Sequence, residues 1–461
     1  MRTNDPASPA APYREDSATP SIRVGIIGHV GNENLGDESI IAAVIQNVRR
    51  RHPDAEIFGF TLNPSDTKER HGITSYPIRR IIAGNWTDTS ADESSAPGPA
   101  PSPSAIQRAK ALIKNTPVLS SLVRVAQDAI ESIPKIIAEI SFLRDSRQHV
   151  KGLDLLIFAG SHQLNDFVGG PWSFPYTVLK WTLLAKRAGA QVVFLSLGAG
   201  PIDTWLGRSF IRRALKNASY RSYRDVTAKR VIDGLHVSRT DEVVPDLAFS
   251  LDSPVASNET RPPGRLVVGI NPMPLYTDYW HETDFGKYET YVGKLAAFAD
   301  GLVEQGCEVH FIPTQLKVDP PVITDIRKRM ARNAEPEYQE FIVEPTTKTL
   351  GDLRSALARV DIMVATRYHG ILLSLALEKP VLAIAYHNKS RDVMEWLGLG
   401  DYVIDGDDFS PSALSEMVSA LEKKRDSVTN SLREQLPGFR SAVQAQYDEV
   451  FEILLGRSGA G

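Results

Sequence analysis

Arg367, His369 and Lys389 lie within "DIMVATRYHGILLSLALEKPVLAIAYHNKSRDVMEWLGLGDYVID", residues Asp361 to Asp405. An arginine, a histidine and a lysine together suit a small dianion. The fixed cations bind phosphate and carboxylate, and an imidazole that titrates near neutrality moves a proton. The stretch reads as strand, charged loop, apolar helix, strand and then Tyr386-His387-Asn388-Lys389. Arg367, His369 and Gly370 therefore sit at a strand-to-helix junction and Lys389 follows the next strand, so all reach one edge of a parallel sheet. On spacing alone, His369 reads equally well as a polar residue at a helix start.

Four other places offer chemistry at strand ends. The loop Gly31-Asn32-Glu33-Asn34-Leu35-Gly36-Asp37-Glu38 follows a β-branched run and opens a helix, with Asn34 or Asp37 available as its cap. Its glycines let backbone approach a ligand, and the helix start offers N–H groups to an anion. It is neither a dinucleotide fingerprint nor a P-loop, and a plain tight turn explains it as well. Gly160-Ser161-His162 and Gly198-Ala199-Gly200-Pro201 each stand where an apolar strand stops, and His162 is either a cleft residue or a polar loop residue. "YRSYRDVTAKRV" sets Arg221 and Arg224 before a helix starting near Asp225, so Arg224 is either an ion-pair partner of Asp225 or a cation aimed into a cleft. Asn271 closes the strand "RLVVGINP" and is a further cleft candidate. The single cysteine, Cys307, lies in "GCEVHFIP", a run with the character of a buried strand, where a thiol acts as an inert apolar group.

The elements that must position these residues follow the α/β pattern. Strand-like runs at Ile22–Gly28, in "AEIFGFTLN", and at Asp154–Gly160, Ala190–Gly200 and Glu242–Leu251 alternate with helical sequence near Glu38–Arg51, Tyr176–Ala188 and Ile211–Asn217. A second set has strands at Arg265–Pro272, "EVHFIP", "DIMVAT" and "PVLAIAY", and helices at Tyr288–Gln305, Leu350–Arg359 and Gly370–Glu378. The expected architecture is two Rossmann-like domains facing a cleft, residues 21–255 and 264–425, followed by a C-terminal helix and tail over 426–461. Residues 1–20 read as a disordered tail and lack the apolar stretch of a signal peptide, and the Pro/Ser-rich 85–104 reads as a flexible insertion. Residues 105–150 read as a helical segment broken near Pro117 and Pro134, with scattered basic residues on a solvated face.

With 461 residues and 42% apolar content, the chain can bury a large core over two domains. A net charge of −4 gives no basic field of the kind that holds nucleic acid. One cysteine excludes an internal disulfide and a cysteine-rich metal site, no apolar run reaches spanning length, and a cytoplasmic protein is expected.

Taken in order, "NLGDES", the Gly160 and Gly198-Ala199-Gly200-Pro201 strand ends, "YRD" at Tyr223–Asp225, and "RYHG" at Arg367–Gly370 with Lys389 downstream resemble the polysaccharide pyruvyl transferase family. The resemblance spans roughly residues 22 to 405, and its most specific part is the last motif with "ALEKPVLAIAY". It implies a fold similar to the two-domain GT-B glycosyltransferases, phosphoenolpyruvate as donor and a pyruvate ketal on a sugar of an exopolysaccharide or cell-surface glycan precursor as product. It implies His369 as acid/base and Arg367, Arg224, Lys389 and Gly370 on the donor; Asn34, Gly36, Asp37, Gly160, His162, Gly198, Gly200 and Asn271 are the other cleft candidates, from their places at strand ends. It implies no cofactor and no metal, and a sugar or lipid-linked oligosaccharide acceptor. A lipid-linked acceptor would bring the basic 105–150 segment to the inner membrane surface. Two departures fall in the N-terminal half: Gly160-Ser161-His162 replaces a glycine run, and the 85–150 region is long. A nucleotide-sugar glycosyltransferase and a non-catalytic carbohydrate-binding protein are the rival expectations, because the same architecture serves both.

Overall fold

The strands are β1 (Arg23–Ile27), β2 (Glu56–Thr61), β3 (Thr74–Pro77), β4 (Leu155–Ala159), β5 (Gln191–Leu197), β6 (Tyr220–Tyr223), β7 (Glu242–Val243), β8 (Val267–Asn271), β9 (Glu308–Phe311), β10 (Ile342–Val343), β11 (Ile362–Ala365), β12 (Val381–Ala385) and β13 (Val403–Asp405). They form a seven-stranded sheet in the order β3-β2-β1-β4-β5-β6-β7 and a six-stranded sheet in the order β10-β9-β8-β11-β12-β13. Every pairing is parallel. This is the doubly wound arrangement twice over, and each sheet has a switch point where the strand order reverses, between β1 and β4 and between β8 and β11. The computed structural model describes residues 21–28, 31, 33–80, 134–167, 169–237, 240–252, 264–279 and 283–458. The expected tail 1–20, the insertion 85–104, the first part of the 105–150 segment, most of the inter-domain linker and Asn32 lie outside the described residues.

The central strands are apolar on both faces, as a sheet covered by helices requires: Leu155 to Ala159 and Gln191 to Leu197 are buried throughout. One face of the first sheet lies under the helix Leu35–Arg51, and the other under the helices Phe174–Arg187 and Trp205–Lys216. The last helix, Arg425–Ser458, crosses between the halves. Leu432, Leu436 and Phe439 join the core around the second sheet, whereas Val443, Tyr447, Val450 and Phe451 join that of the first. Gln446 extends the tie by accepting from Ser222 Oγ (2.7 Å) and donating to Ser196 Oγ (3.1 Å).

Some elements depart from the sequence reading. Glu242–Leu251 is not one strand. Pro245 has no N–H to continue a ladder, so pairing stops at Val243 and Asp246 caps a 3₁₀ turn over Leu247–Ser250. The helix expected from Glu38 begins at Leu35, because the Asn34 side chain accepts from Gly36 N and closes the first turn. Of the 105–150 segment, a helix over 134–149 is described, with Ile136, Ile137 and Ile140 on its exposed side.

The buried Tyr447 ring carries a hydroxyl that has no hydrogen-bond partner among the described residues. Urea denaturation is expected to separate the two parts of this side chain. Tyr447→Ala should cost about 3–5 kcal/mol through the cavity it opens, whereas Tyr447→Phe should be neutral or stabilise by about 1 kcal/mol through loss of an unpaired polar group.

Candidate active site

Strand ends from both sheets meet at their switch points. From the first sheet come Gly36 after β1, His162 after β4, Gly198 after β5 and Arg224 after β6; from the second come Asn271 at the end of β8, His369 after β11 and Lys389 after β12. The halves are joined by backbone: Leu35 N donates to Thr314 O (2.9 Å) and Leu316 N donates to Glu33 O (3.0 Å). This seam presses the first turn of the helix Leu35–Arg51 against the first turn of the helix Tyr368–Ala376. A Cβ at position 36 would overlap the His369 ring, and a Cβ at position 370 would overlap the Asn271 amide, so both glycines are needed for the approach.

His369 Nε2 is buried and has no hydrogen-bond partner among the described residues. Around it stand two cations that share the Tyr368 ring, with the Arg224 guanidinium 4.6 Å and Lys389 Nζ 5.6 Å from the centroid. Arg224 is 3% exposed and lies 3.3 Å from Asp225 and 3.4 Å from Asp246, which is itself fully enclosed. Burial opposes its charge, but Tyr368, Asp225 and Asp246 hold its pKa above the ordinary value. Its Nη2 and the His162 Nδ1 are both unpartnered among the described residues, and both border the space above Gly198 that a side chain there would fill. His162 Nε2 faces the Gly200 carbonyl. A carbonyl only accepts, so Nε2 carries the hydrogen and Nδ1 presents a lone pair.

Burial pushes the pKa of both imidazoles down. For His162 the effect is large, with Lys389 and Arg224 adding to it. For His369 the carboxylates Asp37 and Asp246 work against the burial, and Arg224 and Lys389 with it. The site therefore holds neutral histidines beside fixed positive charge. That combination suits an anion whose arrival would lift the imidazole pKa and load the ring with a proton.

A sequence profile of polysaccharide pyruvyl transferases matches residues 34–388. The chain belongs to the polysaccharide pyruvyl transferase family. No curated protein sequence matches it. Among solved structures it is similar to a glycosyltransferase from Rickettsia africae ESF-5 (10% identity, TM-score 0.52, covering 95% of this chain and 99% of that one). It is also similar to an alpha,alpha-trehalose 6-phosphate synthase from Burkholderia multivorans (10% identity, TM-score 0.51, 95% and 98% covered). A UDP-GlcNAc 2-epimerase from Neisseria meningitidis bound to UDP-GlcNAc aligns comparably (11% identity, TM-score 0.50, 94% and 99% covered). At these identities the likeness concerns the fold, the two Rossmann-like domains of GT-B proteins.

In this pyruvyl transferase family member the expected site residues divide. His369, Gly370, Asn271, Gly36, Arg224, Lys389, His162, Gly198 and Gly200 come together as described, and Asp37 joins them as a carboxylate felt by His369. Asn34 is the helix cap and bonds Asp37 Oδ2 (2.7 Å). Gly160 makes room for Ile40, a packing position. Arg367 pairs with the enclosed Asp319 carboxylate through Nε (2.9 Å) and Nη2 (2.5 Å), which ties the strand-to-helix junction to the start of the helix Asp319–Arg329. Arg221 is held by a bidentate pair with Asp241, away from the cluster, and burial pushes the Cys307 thiol up. Sequence reasoning missed Asp246, hidden in a run read as strand, and Asp319 and Tyr368, whose partners are distant in the chain. Among the described residues no group of three metal-ligating side chains forms a metal site, and no helix is long and apolar enough to cross a membrane.

The neutral histidines of this family member set a pH dependence of folding. The unfolded chain takes up protons near the ordinary value of 6.5, and the folded chain resists until lower pH. Stability should therefore fall as pH drops below about 6.5 and level off below the lowered folded values. Thermal melts between about pH 7 and pH 5 should show this slope, and His162→Gln should flatten it.

Proposed function

We propose that this family member transfers pyruvate from phosphoenolpyruvate to a sugar of a surface polysaccharide precursor, leaving a pyruvate ketal. The observation that supports it is the unpartnered His369 Nε2 within the field of the buried Arg224 and the half-buried Lys389, where the switch points of both sheets meet. Arg224 and Lys389 take the phosphate and carboxylate of the donor. The charge of the bound donor raises the His369 pKa, and the protonated imidazole delivers its proton to the donor methylene carbon, C3.

The resulting cationic character at C2 is attacked by one sugar hydroxyl, whose proton returns to the imidazole. Phosphate then departs with the C–O bond electrons, stabilised by the same cations, and a second hydroxyl of the sugar closes on C2 and loses its proton to the leaving phosphate. Protons balance over the cycle, and the scheme requires no cofactor. Arg367 acts here as a positioning residue: its pair with Asp319 holds the turn that presents His369.

Calorimetric titration with phosphoenolpyruvate and an assay of phosphate release test this scheme. Wild-type protein should bind the donor saturably, Lys389→Ala should weaken binding by about tenfold, and His369→Asn should bind donor but release no phosphate with acceptor present. A wild-type protein that ignores phosphoenolpyruvate and is stabilised by UDP- or GDP-sugars would transfer the site to glycosyl transfer.

A further inference from the structure

Beside His162, on the wall formed by the first sheet, the loop after β4 carries features that the donor chemistry does not use. Three of its buried polar atoms have no partner among the described residues: Ser161 Oγ, His162 Nδ1 and Asn165 Oδ1. Two positions further on, Phe167 is 49% exposed, with its ring 6.2 Å from that of His162. Two more aromatic side chains stand open nearby, Trp172 at 66% and Trp205 at 79% exposure. Trp172 is set edge-on against Phe210 (5.4 Å) and tilted against Tyr176 (5.5 Å), which fixes its direction.

Phe167 and Trp205 flank a dedicated clamp. Asp166, 4% exposed, accepts from Asp203 N (2.8 Å), Thr204 N (2.8 Å) and Thr204 Oγ1 (2.5 Å). Burial raises the Asp166 pKa, but these bonds outweigh it and keep the carboxyl below its ordinary value, so it stays ionised. A Cβ at position 207 would overlap the Asp166 carboxylate, so Gly207 is what admits the clamp to the first turn of the helix Trp205–Lys216. The loop is also laced to the neighbouring strand end by Leu164 N to Gly198 O (3.3 Å) and Gly200 N to Leu164 O (2.8 Å). Phe167 follows Asp166 and Trp205 follows Thr204, so one carboxylate anchors both rings relative to His162.

Large exposed aromatic rings cost solubility, and a clamp that fixes their position gives them a use only if something lies on them. Rings that offer an apolar face, next to buried polar atoms lacking partners, match a pyranose. The sugar's C–H face covers a ring and its hydroxyls satisfy the polar atoms. We propose that Ser161, His162, Asn165 and Phe167 hold the acceptor sugar, and that Trp172 and Trp205 hold further sugars of the same chain. The acceptor is then an oligosaccharide rather than a free monosaccharide or a sugar nucleotide. This rests on the pyruvyl-transfer reading for the direction of chemistry, but the binding it describes requires no donor.

The test is saturation-transfer NMR without phosphoenolpyruvate, on the full chain, with a panel of short oligosaccharides of glucose, galactose, mannose and their N-acetylamino forms and the matching methyl monoglycosides. At least one oligosaccharide should bind the wild-type protein more tightly than its methyl monoglycoside. Trp205→Ala and Trp172→Ala should weaken that binding by about tenfold while phosphoenolpyruvate calorimetry and melting temperature stay unchanged, and Trp205→Phe should restore most of it. Absence of binding across the panel, or binding unaltered in the alanine variants, would overturn the proposal. So would flotation with phosphatidylglycerol vesicles that depends on Trp172 and Trp205 in place of saccharide binding, because the surface would then be a lipid contact. A wild-type protein that binds oligosaccharide but not phosphoenolpyruvate would break the donor reading and leave this site standing.

Discussion

Two chain segments far apart in sequence meet at one backbone crossing, where Leu35 and Leu316 exchange hydrogen bonds with Thr314 and Glu33. That crossing fixes the distance between the two sheets, and Gly36 is the only residue type that tolerates the distance, because any side chain would strike the His369 ring. Closure at this point is also what dries the histidine. The low pKa of His369 is therefore a product of how the domains fit together rather than of its own strand and helix. Geometry and acid/base character are set by the same contact.

Electrostatics at the seam are cumulative. The helices Leu35–Arg51, Val226–Asp233, Tyr368–Ala376 and Asn388–Trp396 all begin here, each with the positive end of its dipole toward the cluster. Arg224 and Lys389 add full charges beside the Tyr368 ring, and Asp225 and Asp246 keep Arg224 charged despite its enclosure. Buried ion pairs contribute little stability by themselves. Here they keep a cation where water has been excluded, which strengthens its pull on an anion. Asp246 bears on both groups, since it touches Arg224 directly and its negative charge opposes the lowering of the His369 pKa.

Much of this architecture is legible in the sequence, because buried parallel strands are near-continuous apolar runs: "LLIFA", "QVVFLSL" and "VLAIA" admit no other reading when helical sequence separates them. The junction after β11 is legible for the same reason, and with it His369. The short strand "YRSY" escapes because its alternating polar residues carry no apolar run, although Tyr220, Ser222 and Tyr223 are all buried. The Arg367–Asp319 pair escapes because nothing local ties a residue to a partner 48 positions away. Spacing placed Arg367 with His369, and the fold adds the carboxylate partner that spacing gives no sign of.

The last helix has a consequence for the order in which the molecule can be made. Val443, Tyr447, Val450 and Phe451 complete the core of the first sheet, and Gln446 bonds to serines on β5 and β6. A ribosome delivers these residues after all thirteen described strands. The domain of the first sheet therefore waits with an open hydrophobic face until the whole second sheet and the helix that follows it have been made. That delays vectorial, domain-by-domain folding and leaves a long interval in which a nascent chain needs protection from aggregation.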